Sequence, residues 1–72
     1  MTPDEREAQG LPRYAGVAKC PDGNAFAVMG AVSRAMRKNG ATPEEVSAYT
    51  AEAMSGDYSN LLRVSGRMID LD

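Results

Sequence analysis

With one cysteine and no histidine in 72 residues, this chain has neither an internal disulfide nor a cysteine–histidine zinc site to hold it together. Apolar burial has to do that work, and a core of this size rarely supplies more than about 3 to 5 kcal/mol. Packing must therefore be efficient, and self-association is the one remaining support. The length also sets a limit of one domain. Cys20 reads as a small half-buried hydrophobe, since a nucleophilic thiol would want a basic neighbour and a partner base. A single thiol suits a reducing compartment. Residues 1–7 show no basic and apolar leader, and no apolar run approaches the roughly 18 residues of a membrane span. The expectation is a cytoplasmic protein that neither enters nor crosses a membrane.

Organisation follows from apolar spacing and from turn residues. Residues 1–11 hold Pro3, four successive charges from Asp4 to Glu7, and Gly10, without periodicity, and are expected to form a flexible tail ahead of a domain at 12–72. Tyr14, Val17 and Cys20 lie in a short run that Pro21-Asp22-Gly23 ends, which predicts a first strand at about 13–20 despite the weakening effect of Gly16. Asn24 then stands at an N-cap position. Ala25, Val28, Met29, Val32, Ala35 and Met36 follow at the spacing of one helical face, so a helix is predicted at about 24–39. Ser33, Arg34, Arg37 and Lys38 fall on its opposite face, and Asn39-Gly40 stops it. Thr42-Pro43-Glu44-Glu45 is a capping box that opens a second helix at about 43–54, with Val46, Tyr49, Ala53 and Met54 as its apolar stripe. Asp57 caps a short third helix at about 57–65, buried through Tyr58, Leu61 and Leu62 and closed by Gly66.

The end of the chain alternates Ile69 and Leu71 with Asp70 and Asp72, the period of a strand with one wet face, at about 67–71. The predicted class is therefore α+β: two short terminal strands form a small ribbon packed by the helices. Such a ribbon keeps open edges, and pairing with the ribbon of a second copy would cover them. A homo-oligomer, with a dimer favoured, is the expectation.

Chemistry-bearing residues are sparse. No histidine is present to act as a base, and Asp22 and Asp57 sit where turns and N-caps ordinarily use aspartate, so no catalytic residue, metal or cofactor is assigned. Eight basic and ten acidic side chains give a net charge of -2, which opposes general affinity for nucleic acid. One basic cluster stands out. Arg34, Arg37 and Lys38, with Arg13 or Lys19 as spatial neighbours, offer a place for a phosphate or an acidic protein surface. Solvated cations at a helix end, paired with Glu44 or Glu45, are the plainer explanation. The glycine turn at Gly23 and Asn24 runs into a helix N-terminus, where free amides can meet an anion. Ligand-binding candidates are accordingly Tyr14, Lys19, Gly23, Asn24, Arg34, Arg37 and Lys38.

Asp22-Gly23-Asn24-Ala25-Phe26 and Ser55-Gly56-Asp57-Tyr58 with Leu61-Leu62 give the chain a resemblance to a group of small bacterial and bacteriophage proteins. That group shares a D-G-N-A-F helix start, an A-M-R-K-like helix end, an S-G-D-Y…L-L segment and a final acidic strand, and the likeness spans about residues 13–72. It implies no particular activity. Asn60 stands where the resemblance leads one to expect histidine, and Met68 or a neighbour replaces an aromatic, which speaks against metal or acid-base chemistry at that corner. Two functions lead, ahead of a nucleic-acid-binding regulator that would present the helix at about 24–39 to a groove and that the net acidity opposes. One is a non-enzymatic accessory protein of phage or mobile-element type, binding a protein partner and inhibiting a host enzyme or defence complex. The other is an oligomer that sequesters a nucleotide or other phosphate compound in a cleft of Tyr14, Lys19, the Asn24 amides and Arg34.

Overall fold

The computed structural model of the chain describes residues 1–20 and 23–72. Among these residues the elements run α1 (Pro3–Ala8), β1 (Val17–Ala18), α2 (Ala25–Lys38), α3 (Pro43–Ala53), α4 (Tyr58–Met68) and β2 (Asp70–Leu71). The architecture is mostly helical with one two-stranded sheet, a small α+β arrangement. Its strands are parallel, with Val17 opposite Asp70 and Ala18 opposite Leu71. The Asp72 amide donates to Ala18 O at 2.9 Å and the Cys20 amide to Asp72 O at 3.3 Å, carrying the contact past the strand ends.

Both strands are shorter than the expected spans of about 13–20 and 67–71, for local reasons. At Gly16 an added Cβ would collide with the Asn39 side chain, so the chain passes close to the end of α2 before the ladder begins. Arg13 and Tyr14 donate their amides to Arg67 O and Met68 O at 2.9 and 2.8 Å, which satisfies carbonyls in the last turn of α4 that have no helical partner. Arg67 and Met68 consequently belong to α4, and Gly66 does not stop the helix as expected.

The helix starts follow the sequence signals. Asn24 accepts the Phe26 amide at 2.8 Å, Thr42 accepts the Glu45 amide at 3.2 Å within a reciprocal capping box, and Asp57 accepts the Asn60 amide at 2.9 Å. Gly40, at φ 98°, ends α2 in a Schellman turn: Ala41 donates to Met36 O and Gly40 to Arg37 O. The segment expected to lack structure contains α1 instead. Thr2 and Glu5 form a capping box, and Gly10, at φ 79°, closes the helix with the same turn, Leu11 donating to Arg6 O and Gly10 to Glu7 O. Of the Pro21-Asp22-Gly23 turn, Pro21 and Asp22 lie outside the described residues.

The core joins Val28, Val32 and Met36 of α2 to Tyr49 and Ala53 of α3 and Leu61 and Val64 of α4, with Tyr14, Ala18 and Ile69 sealing the strand side. Ser33, expected on the wet face, is buried, whereas Met54, Tyr58 and Leu62, expected inside, are exposed. The fully buried Ser65 hydroxyl meets the Tyr49 hydroxyl at 2.6 Å, so the one hydroxyl pair in the middle of the apolar cluster is mutually satisfied.

Two substitutions test this packing. Tyr49→Phe strands the Ser65 hydroxyl and should cost about 1 to 3 kcal/mol, read as a fall in thermal midpoint of about 4 to 8 °C per kcal/mol. Gly66→Ala should stabilise α4 by about 0.5 to 1 kcal/mol, because a helical residue gains propensity. A Cβ there meets nothing within 4 Å.

Candidate functional site

The predicted ligand residues divide into three places. Lys19 on the β1 side and Arg34 and Lys38 on α2 do converge, across an open cleft of about 410 Å³ floored by Ala18, Ala31 and Ala35. Residues 31, 34, 35 and 38 lie one helical turn apart, which is why two small side chains and two cations share one stripe. All three cations are exposed, and none forms an ion pair with a carboxylate among the described residues. Arg37 turns aside, its Nε 3.4 Å from Ser33 O. Gly23 and Asn24 stand at the other end of α2, about 20 Å away along a 14-residue helix. Their polar groups are engaged locally: Asn24 caps α2, and the Gly23 carbonyl accepts the Tyr58 hydroxyl.

Tyr14 lies in neither place. It is buried, and its hydroxyl donates to Glu45 in a short contact. Burial first, and the Glu45 hydrogen bond second, push the Tyr14 phenol above its ordinary pKa. The same hydrogen bond, aided by the Thr42 amide, holds Glu45 below the usual carboxylate value. Arg13 completes the group, with Nη1 at 2.7 Å from Asp4 and 3.0 Å from Glu7, and Nη2 at 3.7 Å from Glu45. Arg13 is therefore neutralised by acids of α1 and α3 rather than joining the basic cluster. Glu45, considered as a partner for that cluster, is taken up here.

The feature that sequence reading missed is an apolar groove where three helix ends meet. Ala25, Phe26 and Met29 from α2 face Met54, Tyr58 and Leu61 from the α3–α4 junction across a space of about 240 Å³. Phe26 is the only phenylalanine in the chain and is 76% exposed; Met54 is 60% exposed and Tyr58 45%. Phe26 sits about 100° around the helix from Ala25 and so falls off the buried stripe, although it opens the same turn. The spacing of the stripe already sets Phe26 beside it; what spacing does not show is the approach of Met54 and Tyr58 from the α3–α4 junction. The bond from Tyr58 to the Gly23 carbonyl pins one wall of the groove to the segment entering α2.

Among the described residues no group of three or more acidic, cysteine or histidine side chains could hold a metal ion, and no helix is long and apolar enough to cross a membrane. Comparison of the chain with family models, with curated proteins and with solved structures yields no match.

The Tyr14–Glu45 contact gives a pH signature. A carboxylate whose folded pKa is depressed contributes stability at neutral pH that is lost as pH falls through the depressed value. The difference in thermal midpoint between the parent and Glu45→Gln should thus be largest near neutrality and shrink below the usual carboxylate range. A gap that stays constant down to strongly acid pH would show that Glu45 acts there through packing, not charge.

Proposed function

We propose that the chain is a small non-enzymatic accessory protein that acts by protein–protein interaction, using the Phe26 groove to seat an apolar anchor of its partner. The exposure of Phe26 beside Met54 and Tyr58 carries this reading. A chain with so little core gains from burying every large apolar group it has, and full burial of a phenylalanine side chain is worth about 1.5 to 3 kcal/mol. Leaving its single phenylalanine in water, next to a concave apolar surface, is the pattern of a binding face.

The chemistry of the wall supports the same reading. Met29 and Met54 are unbranched and reshape easily around an incoming side chain. Aromatic residues at a groove edge bring large contact area at small entropic cost, which is why they dominate binding hot spots. Gly56 and Asp57 close one end of the groove and give it a polar rim. Occlusion of a partner's working surface, as in inhibition of a host enzyme or defence complex, is the mode of action open to a domain of this size.

Position 26 provides the test. Because Phe26 is mostly exposed, Phe26→Ala should alter fold stability by no more than about 0.5 kcal/mol. Loss of a hot-spot aromatic should weaken partner binding by about 2 kcal/mol, or roughly 30-fold. A photo-crosslinking phenylalanine analogue at 26, introduced in cells that naturally carry the chain, should trap one protein that the same analogue at Ser47 does not. Equal trapping from both positions, or undiminished binding by Phe26→Ala, would remove the groove from consideration.

A further inference from the structure

Among the described residues the sheet contains β1 and β2 alone, so it ends at β1 on one side and at β2 on the other. Ala18 and Cys20 direct their polar backbone groups to the Asp72 segment. Alternation along the strand sends the amides and carbonyls of Val17 and Lys19 the opposite way, to the outer edge, and places those of Leu71 on the outer edge of β2. The two open edges differ in charge. Beside β1 stand Lys19, Arg34 and Lys38, with no ion pair among the described residues; along β2 stand Asp70 and Asp72, both exposed.

Side-chain parity sharpens the match. Ala18 and Leu71 share one face of the sheet, and Val17, Lys19, Asp70 and Asp72 share the other, because the register pairs Val17 with Asp70 and Ala18 with Leu71. A third strand laid along β1 in the same register would set its central side chain over Ala31 and Ala35, small enough to leave room for it. Its flanking side chains would fall beside Lys19. The segment that suits this cleft is an apolar residue between two acids, and Asp70-Leu71-Asp72 has that pattern.

We infer that the basic edge of β1 receives β2 of a second copy of this chain, extending the parallel sheet from protomer to protomer. Leu71 of the incoming strand covers the alanine floor between the stems of Arg34 and Lys38, and its two aspartates, on the opposite face, take up the charge of Lys19. The contact is head-to-tail, so successive copies close into a ring or continue as a filament. A lysine on an open edge repels a strand of like charge. Two β1 edges therefore do not pair with each other, and the acidic strand is selected. This surface shares no residue with the Phe26 groove and stands or falls independently of it.

Charge exchange between the two edges tests the inference. Sedimentation velocity on the parent should show average mass rising with protein concentration and falling as salt is raised. Lys19→Glu with Arg34→Glu makes both edges acidic, and Asp70→Lys with Asp72→Lys makes both basic; each double variant should remain monomeric. Mixed in equal amounts they should associate again, because each reversed edge then meets its complement. Far-ultraviolet dichroism melts confirm that both variants are folded. A parent that stays monomeric up to millimolar concentration overturns the inference. So does a mixture no larger than its components, or an association that both reversals leave intact and Phe26→Ala abolishes.

Discussion

Parallel pairing of β1 with β2 dictates the rest of this fold. Two parallel strands cannot be joined by a tight turn, because the chain leaving the first must travel back to its starting level before entering the second. Everything from Lys19 to Ile69 is that return path, and it contains α2, α3 and α4. The path must also create the core, since two strands of two residues bury little by themselves. Val28, Val32 and Met36 meet Tyr49, Leu61 and Val64 inside the crossover, while Ala18 and Ile69 tie that cluster to the sheet. Sheet and helices are thus one cooperative unit, with the Tyr49–Ser65 hydroxyl pair at its centre.

Much of this was readable from spacing and punctuation. Asn24, Thr42 and Asp57 cap helices where their side-chain chemistry requires, and Asn39-Gly40 ends α2 as a left-handed glycine does. The same grammar was present in the first ten residues. Thr2-Pro3-Asp4-Glu5 repeats the pattern of Thr42-Pro43-Glu44-Glu45, and Gly10 ends α1 as Gly40 ends α2. What hid α1 was the absence of an apolar stripe, for it buries no residue at all. Gly66 misled in the opposite sense: a glycine can stop a helix, but the Arg13 and Tyr14 amides waiting at Arg67 O and Met68 O reward continuation. Such distant partners are invisible to a local pattern.

The candidate sites were legible in proportion to how far they depend on one element. Lys19, Arg34 and Lys38 come together because helical spacing and one strand contact suffice to align them. Tyr14 and Arg13 looked like free aromatic and cationic groups, and only the tertiary approach of Glu45, Asp4 and Glu7 shows them to be consumed by each other's neighbours. The Phe26 groove required three helix ends to be placed at once. Amphipathic periodicity describes what a helix hides and is poorly suited to finding what it leaves out.

The attachment of α1 has a consequence of its own. Arg13 holds it by two carboxylates, the hydrogen bond from Arg6 Nε to Pro12 O at 2.7 Å lies within the same segment, and none of its residues is buried. Ionic contacts at a surface fade with added electrolyte, whereas an oily interior does not. The hold of the body on α1 is therefore the part of the structure that added salt weakens first, while the helix crossover keeps its packing.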